Sequence, residues 1–218
     1  MVHPLAPLLD RAAHGAFPPT DGIVHSMPAL PHGIDALVAL TGTFALTGGL
    51  DQGEVDARVP HGEFRIPTSV AFLQWITDAL GVRVGTQDMV FVTRSPGEPP
   101  EPVPSVELVE SPDCDHPRVG EARRHRRTLR VYETVDGAGV VVLGRGLTNR
   151  WEVAYEVDPA ARDAGLGRAL VLSAVRTLPH DTPVWAQVAP GNAASVRGVL
   201  AAGFRPVGAE ILLVHDHK

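Results

Sequence analysis

Apolar and polar positions alternate along residues 105–218 in runs that predict strands and helices in turn. Between Gly165 and Leu178 an apolar residue recurs about every fourth position, which is the spacing of one helix face. The runs "RWEVAYEVDP" before this helix and "PVWAQVA" after it predict strands. A second helix is predicted over "NAASVRGVLAAG", with Asn192 as its N-cap and Gly203 as its stop. Together these segments predict a strand, helix, strand, helix order.

Further strands are predicted on either side of this region. "SVELVE" has the pattern of a short strand, and "HPRVGEARRHRR" that of a polar helix or a loop. "TLRVYETV" and "GVVVLGRG" flank "DGAG", whose Asp-Gly pair is typical of a β-hairpin turn. "AEILLV" predicts a last strand. From Val106 to Val214 the predicted order is therefore strand, hairpin, strand, helix, strand, helix, strand.

The first part of the chain has its own pattern. "IDALVALTGTFALTG" predicts two paired strands, "LDQGEVDARVP" a short helix, and "QDMVFVTR" a strand. Over "PTSVAFLQWITDALGV" we predict a helix capped by Thr68 or Ser69 and stopped by Gly81. The segment "RSPGEPPEPVP" has five prolines in eleven residues, which is typical of a linker. We therefore predict a small α+β unit over 1–94, a linker over 95–104 and a second domain over 105–218.

Composition and charge limit the classes of function. The chain has 218 residues, 44% of them hydrophobic, and a formal net charge of −6, which disfavours a general nucleic-acid or anionic-membrane binder. A single cysteine, Cys114, excludes an internal disulfide. The N-terminal segment lacks the pattern of a secretory signal, and no apolar run reaches the length of a membrane span. We expect a cytoplasmic protein with neither nucleic acid nor membrane as a partner.

The stretch "ARDAGLGRALV" carries the strongest candidate chemistry. A strand, a glycine turn and a helix together direct backbone N–H groups and the positive end of the helix dipole at one point, which suits a phosphate. Gly165 and Gly167 allow close approach, and Arg162 and Arg168 supply positive charge. A tight turn with solvated arginines fits the same residues. A dinucleotide fingerprint lacks its third small position, which is Leu170 here, and a P-loop lacks its lysine.

Three features together resemble the GNAT superfamily of acyl-CoA-dependent N-acyltransferases. Arg162-x-x-Gly165-x-Gly167 resembles the family's pyrophosphate-binding motif, and "GNAASV" followed by "AAGF" resembles its next helix. The order of elements from Val106 to Val214 also matches. The resemblance covers about half the chain. It implies an α/β (α+β) fold with a mixed, mostly antiparallel sheet flanked by helices, preceded here by the small N-terminal unit.

The resemblance also implies where acetyl-CoA binds as acyl donor. The strand "WEVAYEV" would splay from "PVWAQVA", and the pantetheine arm would lie between them, bonded by the backbone from Tyr155 to Val157. Backbone amides from Leu166 to Ala169 would hold the pyrophosphate, and Asn192 would reach the arm, although it is also a natural helix cap. The complete set of cofactor-binding residues that we expect is Val157, Arg162, Gly165, Leu166, Gly167, Arg168, Ala169, Asn192 and Ser195.

Acyl transfer needs a base for the amine, since alkyl amines are mostly protonated at neutral pH, and an acid for the departing thiolate. Glu152 and Glu156 share one side of the predicted strand and are candidate bases; solvated surface charges fit them equally. The family position of the base aligns with Trp151, so Glu152 fits it only with a bulge. Many members place the acid, a tyrosine, in the helix that holds Val199 here, and Tyr155 is the candidate substitute.

We therefore expect an N-acetyltransferase that uses direct attack by the amine of a small molecule or a protein; the sequence also allows a homodimer. The N-terminal unit would cover the acceptor cleft, because about 17 residues between "SVELVE" and "TLRVYETV" are too few for the family's two acceptor helices. A catalytically silent acyl-CoA sensor is the alternative. The six arginines of "RVGEARRHRRTLR" leave a nucleic-acid module as a third, disfavoured hypothesis. We expect no metal site, because the histidines lack ligand spacing.

Overall fold

The computed structural model describes residues 2–31, 33–97 and 105–215. The chain forms two compact units, Met1–Val90 with Val207–Lys218, and Phe91–Pro206. The sequence predicts a division into 1–94 and 105–218, which places the last strand in the second domain. The structure differs from this prediction. That strand belongs with the first unit because it pairs with a strand near the N-terminus. Residues 98–104, most of the predicted linker, lie outside the described residues.

The elements of the described residues agree closely with the sequence pattern. The helices are α1 Leu5–Ala13, α2 Gln52–Asp56, α3 Val70–Leu80, α4 Pro117–His125, α5 Leu166–Arg176 and α6 Ala193–Ala201. The strands are β1 Val24–Ser26, β2 Ile34–Leu40, β3 Thr43–Leu46, β4 Val82–Arg94, β5 Leu108–Glu110, β6 Arg127–Thr134, β7 Gly139–Arg145, β8 Trp151–Val157, β9 Pro183–Val188 and β10 Arg205–His215. Of these, α1 and β1 were not predicted.

The first unit packs helices on a small sheet. β2 pairs antiparallel with β3, as predicted, and on its other edge with β10. β1 adds parallel to β3. Ser69 caps α3 by accepting a hydrogen bond from the Phe72 N–H, and Gly81 ends it in the left-handed region at φ 64°. The core combines α3 residues such as Phe72 and Ile76 with strand residues such as Leu37.

The second unit contains a mostly antiparallel sheet with the strand order β4, β9, β8, β7, β6, β5. β5, β6, β7 and β8 pair antiparallel in sequence, and β8 with β9 is the parallel pair. Helix α4 packs on one face, where Val119 and Ala122 meet Val140 and Val142. Helix α5 packs on the other face, so closely that a Cβ on Gly139 would lie 2.6 Å from Leu170. Both faces of β8 are therefore next to a helix.

Candidate active site

β8 and β9 separate soon after they meet. β8 pairs with β7 along its whole length, from Trp151 opposite Arg145 to Val157 opposite Gly139. With β9 it pairs at two positions, Trp151 with Val184 and Glu152 with Trp185. Beyond Glu152 the edge of β8 thus leaves the ladder with β9, and such an edge offers backbone groups to an extended ligand. The predicted splay of these two strands is present.

The gap between β8 and β9 lies along β8, the strand that precedes α5 in the chain. Gly165 precedes this helix at φ 81°, in the left-handed region that favours glycine. No described side chain caps the helix, and the Ala169 N–H donates to the Gly165 carbonyl at 3.1 Å. The amides of the first turn therefore lack intrahelical acceptors, which makes this end suitable for an anion. Arg162 and Arg168 are exposed beside it, and the Arg162 Nε donates to the Val157 carbonyl at 3.2 Å.

Tyr155 gives two glycines a packing role. Its ring lies against α5, where a Cβ on Gly167 would be 2.9 Å from Tyr155 Cε2. Its hydroxyl lies against α6, where a Cβ on Gly198 would be 2.5 Å from the Tyr155 oxygen. Gly167 is thus required by an aromatic ring, whatever its role toward a phosphate. The sequence motif has a structural reason at this position.

The Tyr155 hydroxyl meets the start of α6. Burial raises the pKa of Tyr155, and a hydrogen bond with the Ser195 side chain offsets part of that rise. Asn192 accepts a hydrogen bond from the Ser195 N–H at 3.0 Å and so caps α6. The structure therefore brings three predicted site residues together: a protonated phenol, a hydroxyl and a capping amide. The side-chain oxygen of Asn192 is therefore engaged in capping α6.

Glu152 lies on the opposite face of β8, in a buried network. It accepts hydrogen bonds from the Arg126 Nε at 2.8 Å, the Arg150 Nε at 2.9 Å and the Leu147 N–H at 3.2 Å. Burial alone would raise the pKa of Glu152, but Arg150 and Arg126 outweigh it and hold the pKa below its usual range. Such a carboxylate is a poor proton acceptor.

Arg126 joins the two separating strands. Besides Glu152 on β8, its Nη2 donates to the Gln187 Oε1 on β9 at 3.2 Å. Sequence reasoning did not single out Arg126, Arg150 or Gln187 individually. Arg150 could have been found, since it precedes Glu152 by the two-residue period of a strand. Arg126 lies too far along the chain from Glu152 for any spacing rule to join them.

Glu156 shares the Glu152 face of β8 but lies in a more open place. It is opposite Val140 in the ladder, and its carboxylate is 3.4 Å from the Arg118 Nε. Both side chains are partly exposed, 38% for Glu156 and 41% for Arg118. A cavity of about 160 Å³ opens here, lined also by His116, Glu133 and Asp158. Of the two predicted glutamates, Glu156 is the one that solvent and a ligand can reach.

The described residues have neither a cluster of metal ligands nor a membrane-spanning helix. They contain no group of three or more histidine, cysteine, aspartate or glutamate side chains placed to hold a metal ion. None of their helices is long and apolar enough to cross a membrane.

Comparison with solved structures finds acetyltransferases. No protein-family model matches the chain, and no curated protein matches it. A GCN5-related N-acetyltransferase from Kribbella flavida aligns with a TM-score of 0.44 at 15% identity, covering 67% of this chain and 64% of that one. A putative GNAT-family acetyltransferase from Novosphingobium aromaticivorans gives 0.41 at 20%, covering 63% and 69%. A tandem GNAT protein from the clavulanic acid biosynthesis pathway gives 0.41 at 19%, covering 73% and 62%.

The chain is similar to GNAT acetyltransferases. It spans 64% of the length of the Kribbella flavida protein. In α6, Val199 is fully buried. The Tyr155 hydroxyl reaches this same helix from β8, next to Ser195 and Gly198. Between β5 and β6 the chain has the helix α4.

Proposed function

We propose that this protein transfers an acetyl group from acetyl-CoA to the amine of an acceptor by direct attack. The observation that carries the proposal is that β8 leaves β9 after two residue pairs and then leads to an uncapped helix N-terminus. A gap between strands suits an extended amide-containing arm, and the helix end suits its pyrophosphate. The fold thus provides both parts of an acyl-CoA site along one strand.

Residues at the start of α5 would hold the diphosphate. The amides of Leu166, Gly167 and Arg168 would supply hydrogen bonds, and the exposed Arg162 and Arg168 would supply charge, while the Ala169 N–H is bonded to the Gly165 carbonyl. Acetyl-CoA itself supplies a thioester, whose acyl carbon is open to attack by a neutral amine. From Tyr155 to Val157, the backbone of β8 is not paired with β9, and it would form hydrogen bonds with the arm. Asn192 and Ser195 lie at the start of α6, where Ser195 bonds to Tyr155.

Tyr155 is the proton donor in this proposal. A thiolate that leaves an acyl group needs a proton, and a phenol whose pKa is raised by burial stays protonated through the neutral range. Its hydroxyl lies at α6, where GNAT members commonly place the acid. The proton on the Tyr155 oxygen would pass to the sulfur, and Ser195 would keep the hydroxyl oriented.

Glu156 is the proton acceptor that the geometry favours. It is partly exposed and borders a cavity, whereas Glu152 is committed to two arginines. Tyr155 and Glu156 are adjacent and therefore point to opposite faces of β8. An amine that approaches from the Glu156 face would lose its proton there, while the thiolate would gain one on the Tyr155 face. Glu152 acts as a positioning residue, because it holds Arg126, which also bonds to Gln187 on β9.

A silent acyl-CoA-binding protein is the second candidate. It is favoured by the same pairing that makes Glu152 a weak base and by the apolar Val199 in α6. It shares the acetyl-CoA site with the first candidate, and it differs from it in lacking turnover.

The test combines binding and turnover. Acetyl-CoA at 100 times its dissociation constant should add about 2.7 kcal/mol of stability, a rise of several degrees in Tm, while NADH should add none. Arg168→Glu should reduce the rise, and Arg11→Glu, which changes charge equally on the exposed face of α1, should not. Thiol release with a panel of amines measures turnover, which Tyr155→Phe and Glu156→Gln should each lower by about 10²-fold or more.

The outcomes separate the candidates. A Tm rise with turnover supports the transferase. A rise without turnover for any amine supports the binding protein. The absence of a rise for the unmodified protein contradicts both.

A further inference from the structure

Two arginines lie over the Trp151 ring at the end of the sheet where β8 begins, and a third lies opposite one of them. Arg127 on β6 lies opposite Arg145 on β7, and Arg145 lies opposite Trp151 on β8, so the three form one row across the strands. The guanidinium carbon of Arg145 is 4.0 Å from the centre of the Trp151 ring, and that of Arg130 is 5.3 Å from it. We call Arg127, Arg130, Arg145 and Trp151 the arginine row.

A bulge in β6 creates this arrangement. The register shifts between Arg127, opposite Arg145, and Arg130, opposite Leu143. Residues three apart on a regular strand point to opposite faces, and one extra residue brings both to the same face. The irregular segment includes Thr128, whose φ of 47° is an unfavourable conformation for a residue with a β-branched side chain. The chain therefore adopts strained backbone in order to collect the arginines.

The collected charges repel one another. Like charges directly opposite on neighbouring strands are destabilising, as with Arg127 and Arg145. Burial and, after it, repulsion by Arg130 lower the pKa of Arg145. The side chain of Arg145 donates to the Asn149 carbonyl at 2.9 Å, a neutral acceptor. The contacts of Arg145 and Arg130 with the Trp151 ring offset part of this strain and repulsion, but they do not neutralise the positive charge.

The carboxylates nearby are engaged elsewhere. Of the described residues, no aspartate or glutamate forms an ion pair with Arg127, Arg130 or Arg145. Three other arginines of the segment 118–130, in contrast, have acidic partners: Arg118 pairs with Glu156, Arg124 with Glu121, and Arg126 with Glu152. Arg123 donates to the Pro112 carbonyl at 2.9 Å. The arginines of the row thus differ from these three in having no acidic partner among the described residues.

We infer that the arginine row is a binding site for a small oxyanion, a phosphate or a carboxylate group. Guanidinium groups bind both groups through paired N–H donors, and an anion would remove the repulsion within the row. The start of α5 packs on Tyr155, which is four residues from Trp151 and so about 13 Å along β8, and the row is therefore a separate anion site. The inference is independent of acetyl transfer.

A nucleic acid suits the row less well. The chain has a formal net charge of −6, and Trp151 is only 6% exposed, so no base could stack on its ring. On α4, Arg118 and Arg124 are each paired with a glutamate, which lowers the net positive charge of that helix. A ligand with one or two anionic groups matches the size of the charge.

The test uses the full chain, titrated with inorganic phosphate and separately with citrate at constant ionic strength held with KCl. Calorimetry measures binding, and the difference in tryptophan fluorescence between the unmodified protein and Trp151→Phe reports binding at the row. We expect saturation by at least one oxyanion, with a change in the Trp151 signal. Arg130→Gln and Arg145→Gln should each weaken binding about tenfold or more, because hydrogen bonds to charged groups are the stronger class. Arg124→Gln is the matched control and should change nothing.

Several results overturn the inference. One is saturation by neither oxyanion in the unmodified protein, a result that does not depend on how the variants fold. Another is binding that leaves the Trp151 signal and the two arginine variants unchanged, which would put the anion elsewhere, for example at α5. Salt-dependent binding of a DNA oligomer without any response to phosphate or citrate would favour a nucleic-acid surface instead. Saturation by phosphate alone or citrate alone supports the site and identifies its preferred group.

Discussion

The two faces of β8 present opposite solutions to the burial of a polar side chain. On one face Glu152 is fixed by two guanidinium groups and a backbone N–H, all from the same buried network. On the other face Tyr155 lies against two glycines, and its hydroxyl meets one hydroxyl, that of Ser195. The first residue is held by charge and the second by shape. This difference separates a structural ion from a group that is free to exchange a proton.

A charged residue in a cleft is not by that alone a reactive group. Complete pairing of a carboxylate stabilises its ionised form and so removes its reactivity toward protons. A phenol in a glycine-lined recess keeps its proton and its position without an ionic partner. On this strand the fully paired carboxylate of Glu152 supports the architecture, and the proposed proton transfers fall to Tyr155 and Glu156, further along β8.

The largest expected effect is on stability at Glu152. Glu152→Ala removes the carboxylate and leaves Arg126 and Arg150 buried without it, which should cost about 3–5 kcal/mol in the free energy of unfolding. Urea denaturation measures it. Glu156→Ala, four residues along the same face, is the matched control and should cost about 1 kcal/mol or less. Equal effects at both sites would mean that the buried network does not hold this face together.

The glycines on the Tyr155 face should show the next largest effect. Gly198→Ala places a Cβ 2.5 Å from the Tyr155 oxygen and should cost about 1–3 kcal/mol. In the Tyr155→Phe background the oxygen is absent and the nearest ring carbon is 3.7 Å away, so the cost should disappear. Gly167→Ala meets a ring carbon at 2.9 Å and should stay costly in both backgrounds. Thermal unfolding of the five variants, three single and two double, measures this coupling.

Gly120→Ala in α4 is the control for this series. No atom lies within 4 Å of the added Cβ, so the helix preference of alanine should stabilise the protein by about 0.5–1 kcal/mol. A cost at Gly198 that persists without the Tyr155 hydroxyl would show that the recess is not shaped by that group.

Local patterns predicted most of the second unit, and contacts distant in sequence decided the rest. The helix at Gly165, its neighbouring strands and the cap at Asn192 follow from periodicity and capping, which act over a few residues. The pairing of β10 with β2 joins residues from opposite ends of the chain, which no local pattern encodes. The bulge at Thr128 likewise depends on what its neighbours pack against.

The candidate site divides in the same way. Spacing placed Glu152, Tyr155 and Glu156 on one strand and gave their faces correctly relative to each other. It could not show that Arg126 reaches Glu152, because that contact depends on where α4 ends in space. The choice between a reactive and a fixed carboxylate was therefore inaccessible before the structure.

The pH dependence of stability tests the Glu152 network more gently than its removal. The folded pKa of Glu152 is held below its unfolded value, so its stabilisation is complete above the unfolded pKa, about 4.3, and is lost as the pH falls through the folded pKa. Other carboxylates titrate in the same window. The informative quantity is therefore the difference between the unmodified protein and Glu152→Gln in urea denaturation, which should shrink steadily below pH 4.3. A difference that is constant with pH would show that folding leaves the pKa of Glu152 unchanged, so that Arg126 and Arg150 do not stabilise its ionised form.

The smallest expected effect on stability is at Glu156, and it gives the comparison its functional meaning. Glu156→Gln breaks a partly exposed contact with Arg118, so the free energy of unfolding should change by about 0–1 kcal/mol. A double-mutant cycle with Arg118→Gln measures the coupling. If Glu156 accepts the amine proton, this nearly silent variant loses turnover while acetyl-CoA still raises its Tm. Full turnover in Glu156→Gln would remove Glu156 from the reaction and leave a water molecule or the acceptor itself to release the proton.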